Sequence, residues 1–495
     1  MKFLIRYLLL TICVLLPTIV WGQNVLTLED AIKLAQDSAI AARQTRHEYE
    51  ASKQDYQSYM ASRLWSLGLN VDPNYTYRKL SSDERYSSMA SSQNILSTSA
   101  GLNAQQLIGK TGGYVYANSS VAWNEYLGEA GRSFSKVTGN RREFNSTPLR
   151  IGYRQDFLGF NESDWQLRTS RLHMTTADKR YISTLASIAE TTARYFFDYA
   201  TRKAYVEMYE LNALTADSLY KIGQEKFAIT AIRKDELISL QLSLLNAQNT
   251  LRNARRQEER ARHSLLSYLN LPEAAYQDLK VILPEEPAYT ILIDPDEALH
   301  MAETYNPAFS EAEEQILAAE QEVERTRKEQ GLKTSIDVSV GLQQYDSHLG
   351  DLFGHLDQPY VLGTVSFDLP LVDHGQRQSR HRAAKERLET HHLQKQETTR
   401  SMKEQILNTI IDLQSQQQLL SETQVAMRLA DESYEQNQYN YAMGLSDINT
   451  FSFAQSRKDD AHNNYINALT EFWMAYYRLC SLTLYDFYHK SAICY

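Results

Sequence analysis

The sequence predicts a mainly α-helical protein with a membrane β-barrel portion, built as two tandem repeats of helix, strand, strand and long helices. Residues 149–271 and 371–495 contain no proline, the residue that most strongly breaks a helix. The two halves also match each other at fixed offsets, and each contains stretches of alternating apolar and polar residues. The proline-free blocks predict the helices, the offsets predict the repeat, and the alternation predicts the strands.

The internal repeat gives the order of the elements. One offset, 441 − 227 = 214, places residues 227–229 on residues 441–443 without a gap. A second offset, 297 − 30 = 267, places residues 30–31 on residues 297–298. Because 267 − 214 = 53, the first half carries about 53 extra residues between positions 71 and 151.

The strands are marked by a period of two, which gives a strand one apolar and one polar face. The pattern occurs in residues 336–343 and 361–371, and again in residues 67–71 and 149–157 of the first half. An amphipathic sheet on a soluble core explains any single strand. A transmembrane barrel with a water-filled lumen explains polar residues at nearly every second position of all of them.

The extra residues of the first half predict one more hairpin. Residues 100–106 and 114–123 flank the glycine-rich stretch 109–113. No nucleotide-binding fingerprint surrounds Lys110, so a tight turn is favoured over a phosphate loop. The hairpin either raises the four repeat-related strands of each chain to six or lies outside the barrel wall.

The helices are predicted to be long and to pack as coiled coils. Residues 161–225 form about 65 helical residues, which would span on the order of 100 Å. No compact domain needs a helix of that length, whereas a structure that crosses a periplasm does. Two sets of residues recur at heptad spacing, which is typical of coiled coils. They are Leu237, Leu244 and Leu251, and Ala454, Ala461, Ala468 and Ala475. Packing in an ordinary helical bundle remains the alternative for either set taken alone.

The N-terminus and the charge balance indicate an exported protein. Residues 1–22 resemble a secretory signal peptide with a basic start, an apolar centre and cleavage before Gln23; an uncleaved anchor is the alternative. Removal of Lys2 and Arg6 leaves 49 basic residues against 61 acidic ones, a net charge of −12. This charge argues against a nucleic-acid partner.

Catalytic, metal and cofactor sites are not predicted. His391 and His392 are adjacent on a helix and poorly placed to share a metal, and no nucleophile or glycine-loop motif occurs. The expectation is therefore a non-enzyme without cofactor. Cys480 and Cys494 are too few for a disulfide framework, although a single bridge between them remains possible.

Several motifs in a fixed order resemble the TolC family of outer-membrane efflux and secretion channels. They are the opening stretch 26–35 with its second copy at 296–307, the stretch 367–371 that enters a helix at Gly375, and the stretch 441–446. The likeness covers about residues 24–486. It implies a homotrimer whose shared β-barrel contacts outer-membrane lipid and continues as an α-helical tunnel into the periplasm. It also implies a periplasmic adaptor protein and an inner-membrane pump as partners.

The resemblance places a periplasmic gate where the paired helices turn. Tyr441 matches a tyrosine of the gate network and Glu236 matches an acid, but Thr450 and Phe453 replace the paired gate acids and Thr230 replaces a glycine. The predicted gate residues are Tyr441, Asp447, Arg233, Lys234, Asp235, Glu236, Thr450 and Phe453, with solvated charges at a helix turn as the alternative for the charged ones. The predicted adaptor-contact residues are Phe227, Ala228, Ile229, Ala442, Met443, Gly444 and Leu445.

The predicted function is the outer-membrane channel of a tripartite efflux or type I secretion system, with drug, metal and protein cargo all open. The competing prediction is a soluble periplasmic coiled-coil scaffold. The predicted segments are a signal peptide (1–22), first-repeat helices (23–66), strands (67–158) and long helices (159–271), a linker (272–294), second-repeat helices (295–333), strands (334–371) and long helices (372–486), and a tail (487–495).

Overall fold

The computed structural model describes residues 25–79, 92–128, 135, 141–272, 279–284, 292–346, 348–350, 358–369, 371–443 and 445–493. The predicted signal peptide, Pro370, Gly444, Cys494 and most of the predicted linker lie outside the described residues.

The helices follow the predicted repeat. A pair of shorter helices precedes each strand region, and a pair of long helices follows it. The first half contains α1 (Leu28–Ser38), α2 (Ile40–Ser62), α3 (Glu162–Ala228) and α4 (Lys234–Tyr268). The second half contains α5 (Pro295–Tyr305), α6 (Pro307–Glu329), α7 (Gln376–Ala442) and α8 (Ile448–Thr483).

Both α3 and α7 contain 67 residues, which confirms very long helices in the proline-free blocks. Within the described part of the chain, no helix is both long enough and apolar enough to cross a membrane.

Six long strands form one antiparallel sheet. They are β2 (Ser66–Lys79), β3 (Ser92–Ile108), β4 (Gly113–Tyr126), β5 (Arg142–Phe157), β7 (Lys333–Asp346) and β8 (Pro359–Asp368). Their spatial order is β2-β3-β4-β5-β7-β8, so β2 and β8 are the two edges. The last strand ends at Asp368, short of the predicted Leu371.

Short strand pairs lie outside this sheet. A parallel pair joins β1 (Val25–Leu26) to β6 (Lys280–Val281). An antiparallel pair joins β9 (Tyr485–Asp486) to β10 (Ser491–Ala492) around the start of the predicted C-terminal tail. These two-residue strands carry too little periodicity to be predicted from the sequence.

The described residues form two compact units. One unit comprises residues within 1–49, 178–307 and 399–495, and contains the ends of the long helices. The other comprises residues within 50–177 and 308–398, and contains the six-stranded sheet with the helical segments next to it.

The repeat is visible in the core of the first unit. Ala31 and Ala35 of α1 are fully buried, as are Ala298 and Ala302 of α5, their counterparts at the offset of 267. The side chain of Thr27 caps α1 by accepting from the backbone N–H of Asp30. The side chain of Asp294, the counterpart of Thr27, caps α5 by accepting from the N–H of Asp296. Small buried side chains at matched positions therefore repeat one packing arrangement.

Candidate functional site

One face of the six-stranded sheet is apolar, and many of its large side chains are exposed within the described part of the chain. Leu69 on β2 lies opposite Leu102 on β3, and Ile151, Val340 and Val361 lie opposite one another across β5, β7 and β8. The exposed fractions are 70% for Leu69, 51% for Ile151 and 74% for Val361. Exposed apolar patches this extensive mark a surface made for lipid or for another protein.

The opposite face of the same sheet is polar. The hydroxyl of Tyr116 on β4 donates to Asp337 Oδ1 on β7 at 2.7 Å. Arg150 on β5 lies between them, donating from Nη2 to the Tyr116 hydroxyl at 3.2 Å and from Nε to Ser339 Oγ at 3.1 Å. Its guanidinium also lies 5.5 Å from the centre of the Tyr116 ring. This network places a charged arginine and a charged aspartate on the polar face and spans three strands.

The polar face continues onto the other strands of the sheet. Residues on this face alternate with the apolar set because successive side chains of a strand point to opposite sides. They include Asn70 and Asp72 on β2, Ser99, Asn103 and Gln105 on β3, Asn118 on β4, and Thr364 and Ser366 on β8. The sheet thus has one apolar face and one polar face.

The turns between the long helices repeat one hydrogen-bond pattern. At the end of α3, the N–H of Ala231 donates to the carbonyl of Lys226 at 2.8 Å. At the end of α7, the N–H of Leu445 donates to the carbonyl of Asn440 at 2.8 Å, and both partners follow their counterparts by the offset of 214. In the first turn the N–H of Thr230 also donates to the carbonyl of Phe227 at 2.9 Å, which completes a Schellman motif.

Thr230 occupies the left-handed position of the first turn. Its φ angle is +59°, a conformation that the motif usually gives to glycine and that a β-branched residue adopts only under strain. The sequence aligns Thr230 with Gly444, so the glycine expected at both turns is present in only one of them.

We expect Thr230→Gly to stabilise the protein by about 1 kcal/mol, because it removes the strain of a β-branched residue at positive φ. Thermal unfolding of the purified variant measures this. Thr230→Ala is the matched control, since it keeps a Cβ and should therefore recover less than half of the gain. An unchanged melting temperature for Thr230→Gly would contradict the strain.

The charged residues predicted for the gate cap and flank the second helix of each turn. The Asp447 side chain caps α8, its Oδ1 accepting from the N–H of Thr450 at 2.8 Å. Hydrogen bonds from Thr450 hold the pKa of Asp447 below its usual value. Arg233 occupies the matching position before α4, makes no side-chain cap, and lies 3.2 Å from Asp235 in an exposed ion pair. Within the chain, the side chains of Asp447, Arg233 and Asp235 thus make local contacts at their own helix starts.

Tyr441 does join different helices. Its ring stacks on Phe451 of α8 at 5.7 Å, and the ammonium of Lys226 on α3 lies 5.6 Å from the ring centre. Burial raises the pKa of Tyr441, and the charge of nearby Glu236 adds to the effect. A small cluster lies beside it and ties α4, α7 and α8 together; its buried members are Leu240, Tyr434, Ile448 and Phe451.

The remaining predicted residues lie at the surface of the turns. Lys234 is exposed and Glu236 is half-buried. Phe453 is 60% exposed, with the Arg457 guanidinium 4.3 Å from its ring centre. Gly444 and the side chain of Ala442 lie outside what is described. The other predicted adaptor-contact side chains are exposed, namely those of Phe227, Ala228, Ile229, Met443 and Leu445.

One functional candidate has no signal in the sequence. Asp459 on α8 is half-buried and accepts from the Asn212 side chain on α3 at 2.6 Å through Oδ2. Its Oδ1 is buried and accepts no hydrogen bond within the described part of the chain. Burial raises the pKa of Asp459 to about 6, against the opposing effects of Asn212 and the nearby Lys458. The two hydrogen-bonded residues are 247 positions apart, so only the fold brings them together.

Metal binding has no support in the described ranges, where no cluster of three or more His, Cys, Asp or Glu side chains could hold an ion. Cys480 is buried as a free thiol, and burial raises its pKa to about 12. The Cys480 thiol is therefore protonated at neutral pH and a poor nucleophile.

Comparison with known proteins identifies relatives of this architecture. Residues 298–483 match the family model described as outer membrane efflux protein. No curated protein matches the sequence. The solved structure of the Campylobacter jejuni CmeC outer membrane channel superposes with a TM-score of 0.67 at 13% identity, covering 94% of this chain and 87% of that one.

Two further structures agree with this result. The outer membrane protein VceC of Vibrio cholerae gives a TM-score of 0.64 at 13% identity and covers 94% of this chain and 97% of that one. A membrane protein from Pseudomonas aeruginosa gives 0.66 at 13% identity and covers 92% and 93%. The predicted fold class and the predicted resemblance are both confirmed. Residues 298–483 resemble the outer membrane efflux protein family, and the chain has the fold of these solved structures.

Proposed function

We propose that this chain is the outer-membrane channel of an export system driven from the inner membrane. Three copies form one channel, with the six-stranded sheets in the outer membrane and the long helices in the periplasm. The function is passage of a substrate rather than catalysis. An adaptor protein and an inner-membrane pump supply the substrate and the energy in a tripartite efflux or type I secretion arrangement.

The observation that carries this proposal is a sheet with one exposed apolar face and one polar face. A soluble protein would bury large side chains such as Leu69 and Val361, yet both are about three-quarters exposed. The other face holds Arg150 and Asp337, which a lipid environment would not tolerate. Lipid on one side and water on the other satisfies both faces.

Membrane fractionation tests the proposal. The channel should appear in the outer-membrane fraction, resist extraction by sarkosyl, and run as a trimer that separates into monomers on heating. The competing function, a soluble periplasmic scaffold, predicts a protein that remains in the supernatant after osmotic shock and ultracentrifugation. Recovery in that supernatant would refute the channel.

The helix turns are the proposed contact with the adaptor, because apolar side chains are exposed there. Ile229, Met443 and Leu445 are 74%, 60% and 75% exposed at the tips of the two helix pairs. Exposed apolar residues that cluster at the turns of long helices suit a partner with a matching apolar surface.

We expect Leu445→Asp to lower the amount of adaptor that co-purifies by at least about tenfold, since burying one carboxylate in an apolar contact costs more than about 1.4 kcal/mol. Leu445→Met is the matched control and should co-purify normally. Both variants should still form heat-modifiable trimers. Normal co-purification of Leu445→Asp would exclude this turn from the interface.

A further inference from the structure

The hairpin formed by β3 and β4 lies inside the sheet rather than beside it. β3 pairs with β2 from Ser66 opposite Gln105 to Lys79 opposite Ser92. β4 pairs with β3 on one side and with β5 on the other, with one irregularity between Asn118 and Ser120. The hairpin therefore lies between β2 and β5 in the strand order. A hairpin outside the wall would leave β2 and β5 as neighbours.

The hairpin also shares the two-sided character of the other strands. Ala100 on β3 lies opposite Val71 and Val121, on the apolar face. Ser99 lies opposite Asp72, on the polar face. Because the alternation stays in phase across β2, β3 and β4, the hairpin needs the same two environments as the strands around it.

The turn of the hairpin is anchored at the end of the sheet where the helices begin. The Asn161 side chain donates to the carbonyl of Lys110 at 3.2 Å, and Asn161 immediately precedes α3. The Gln155 side chain donates to the carbonyl of Thr111 at 2.7 Å. The guanidinium of Arg63, which follows α2, packs so closely on Gly109 that a Cβ there would collide with it. These contacts fix the hairpin in the plane of the sheet.

The edges of the sheet determine how it can close. β2 and β8 end the strand order, and their outer backbone groups are not paired within the sheet. Lipid does not tolerate such edges. Since six antiparallel strands alternate in direction, β8 of one copy runs antiparallel to β2 of the next, which is the arrangement that lets identical copies close into a ring.

We propose that β3 and β4 belong to the barrel wall, so that three copies of this chain close an 18-stranded barrel with six strands from each copy. This inference rests on the trimeric channel proposed above and specifies its wall. Four strands per copy would give 12.

The additional strands widen the exit. With strands about 4.8 Å apart and tilted by about 40°, the backbone diameter is about 35 Å for 18 strands and about 24 Å for 12. Side chains that occupy about 5 Å on each side leave open widths of about 25 Å and about 14 Å. The wider lumen admits cargo as thick as two packed helices, each about 10–12 Å across. The substrate class suited to this exit therefore includes polypeptides as well as small molecules.

Cysteine labelling of two adjacent residues tests the wall. Ser99→Cys and Ala100→Cys are small changes on opposite faces of β3, and the parent chain supplies the background. Whole cells are treated with a membrane-impermeant maleimide, and labelling after denaturation normalises each variant. We expect Ser99→Cys to label about tenfold more than Ala100→Cys, since one faces water and the other lipid. Equal labelling would overturn the proposal, because a hairpin outside the wall exposes both.

Electron cryo-microscopy of the trimer in a lipid nanodisc counts the strands directly. Eighteen strands support the inference. A trimer with a 12-stranded wall overturns it and leaves the proposed channel standing. A protein that neither inserts nor forms trimers overturns the proposed function itself, so the two failures are distinguishable.

Discussion

Val71→Arg is expected to abolish assembly of the channel in the outer membrane, whereas Asn70→Arg at the adjacent position of the same strand is expected to assemble normally. Val71 lies on the apolar face opposite Ala100 and is 55% exposed. Asn70 lies on the polar face opposite Gly101. An arginine on the lipid face near the bilayer midplane costs about 2–4 kcal/mol per chain, and three chains multiply the cost.

The two variants are matched in strand, depth and introduced charge. They differ only in the face of the sheet that carries the arginine. The measurement is the amount of heat-modifiable trimer in the sarkosyl-insoluble fraction relative to the unmodified chain. If both variants assembled equally well, the apolar face would not contact lipid, and if both failed, β2 would be sensitive to any substitution.

The sheet also shows which parts of the structure a sequence determines. Alternation in residues 336–343 predicts β7 and the polarity of its faces, because a period of two is a local property. The Tyr116–Arg150–Asp337 network is not local, since Tyr116 and Asp337 are 221 residues apart. Register irregularities interrupt β4 after Asn118 and β5 after Ser146 and shift the facing residues, and no local pattern reveals them.

The helix turns illustrate the same division. The repeat offset of 214 predicts that two turns are equivalent, and the matching backbone hydrogen bonds donated by Ala231 and Leu445 show that they are. The sequence also shows which turn lacks glycine. It does not show that Asp447 caps its own helix while Arg233 leaves the matching position without a side-chain cap. A cap depends on side-chain geometry, and aligned positions with opposite charges adopt different roles.

The second large effect concerns Asp459, whose carboxylate is held between long helices. The usual pKa of 3.8 rises to about 6 in the folded chain because burial disfavours the charged form. The folded chain therefore binds this proton more tightly than the unfolded chain does. The contribution of protonated Asp459 to the free energy of unfolding is complete below about pH 4. It is lost as the pH rises through about 6.

Asp459→Asn is expected to raise the melting temperature at pH 8 and to leave it nearly unchanged at pH 4. The full pKa difference corresponds to at most about 3 kcal/mol per chain, and partial access to water leaves about 1–2 kcal/mol. Asparagine matches the shape of the protonated acid and carries no charge. Its oxygen can still accept the hydrogen bond from Asn212 that Asp459 Oδ2 accepts at 2.6 Å.

Asp460→Asn is the control for this measurement, because Asp460 is the adjacent carboxylate on α8 and is exposed. Removing its charge should change the melting temperature far less than Asp459→Asn does at pH 8, because the Asp460 charge is the smallest contribution to the raised pKa of Asp459. A third variant, Asn212→Ala, separates charge from packing. Loss of its hydrogen bond should destabilise the chain most at pH 8, where Asp459 is charged and Asn212 is the donor to it.

A melting temperature of Asp459→Asn below that of the unmodified chain at pH 8 would contradict this prediction. It would mean that the Asp459 carboxylate has a stabilising partner in the assembled channel, so that Asp459 would be an interface residue.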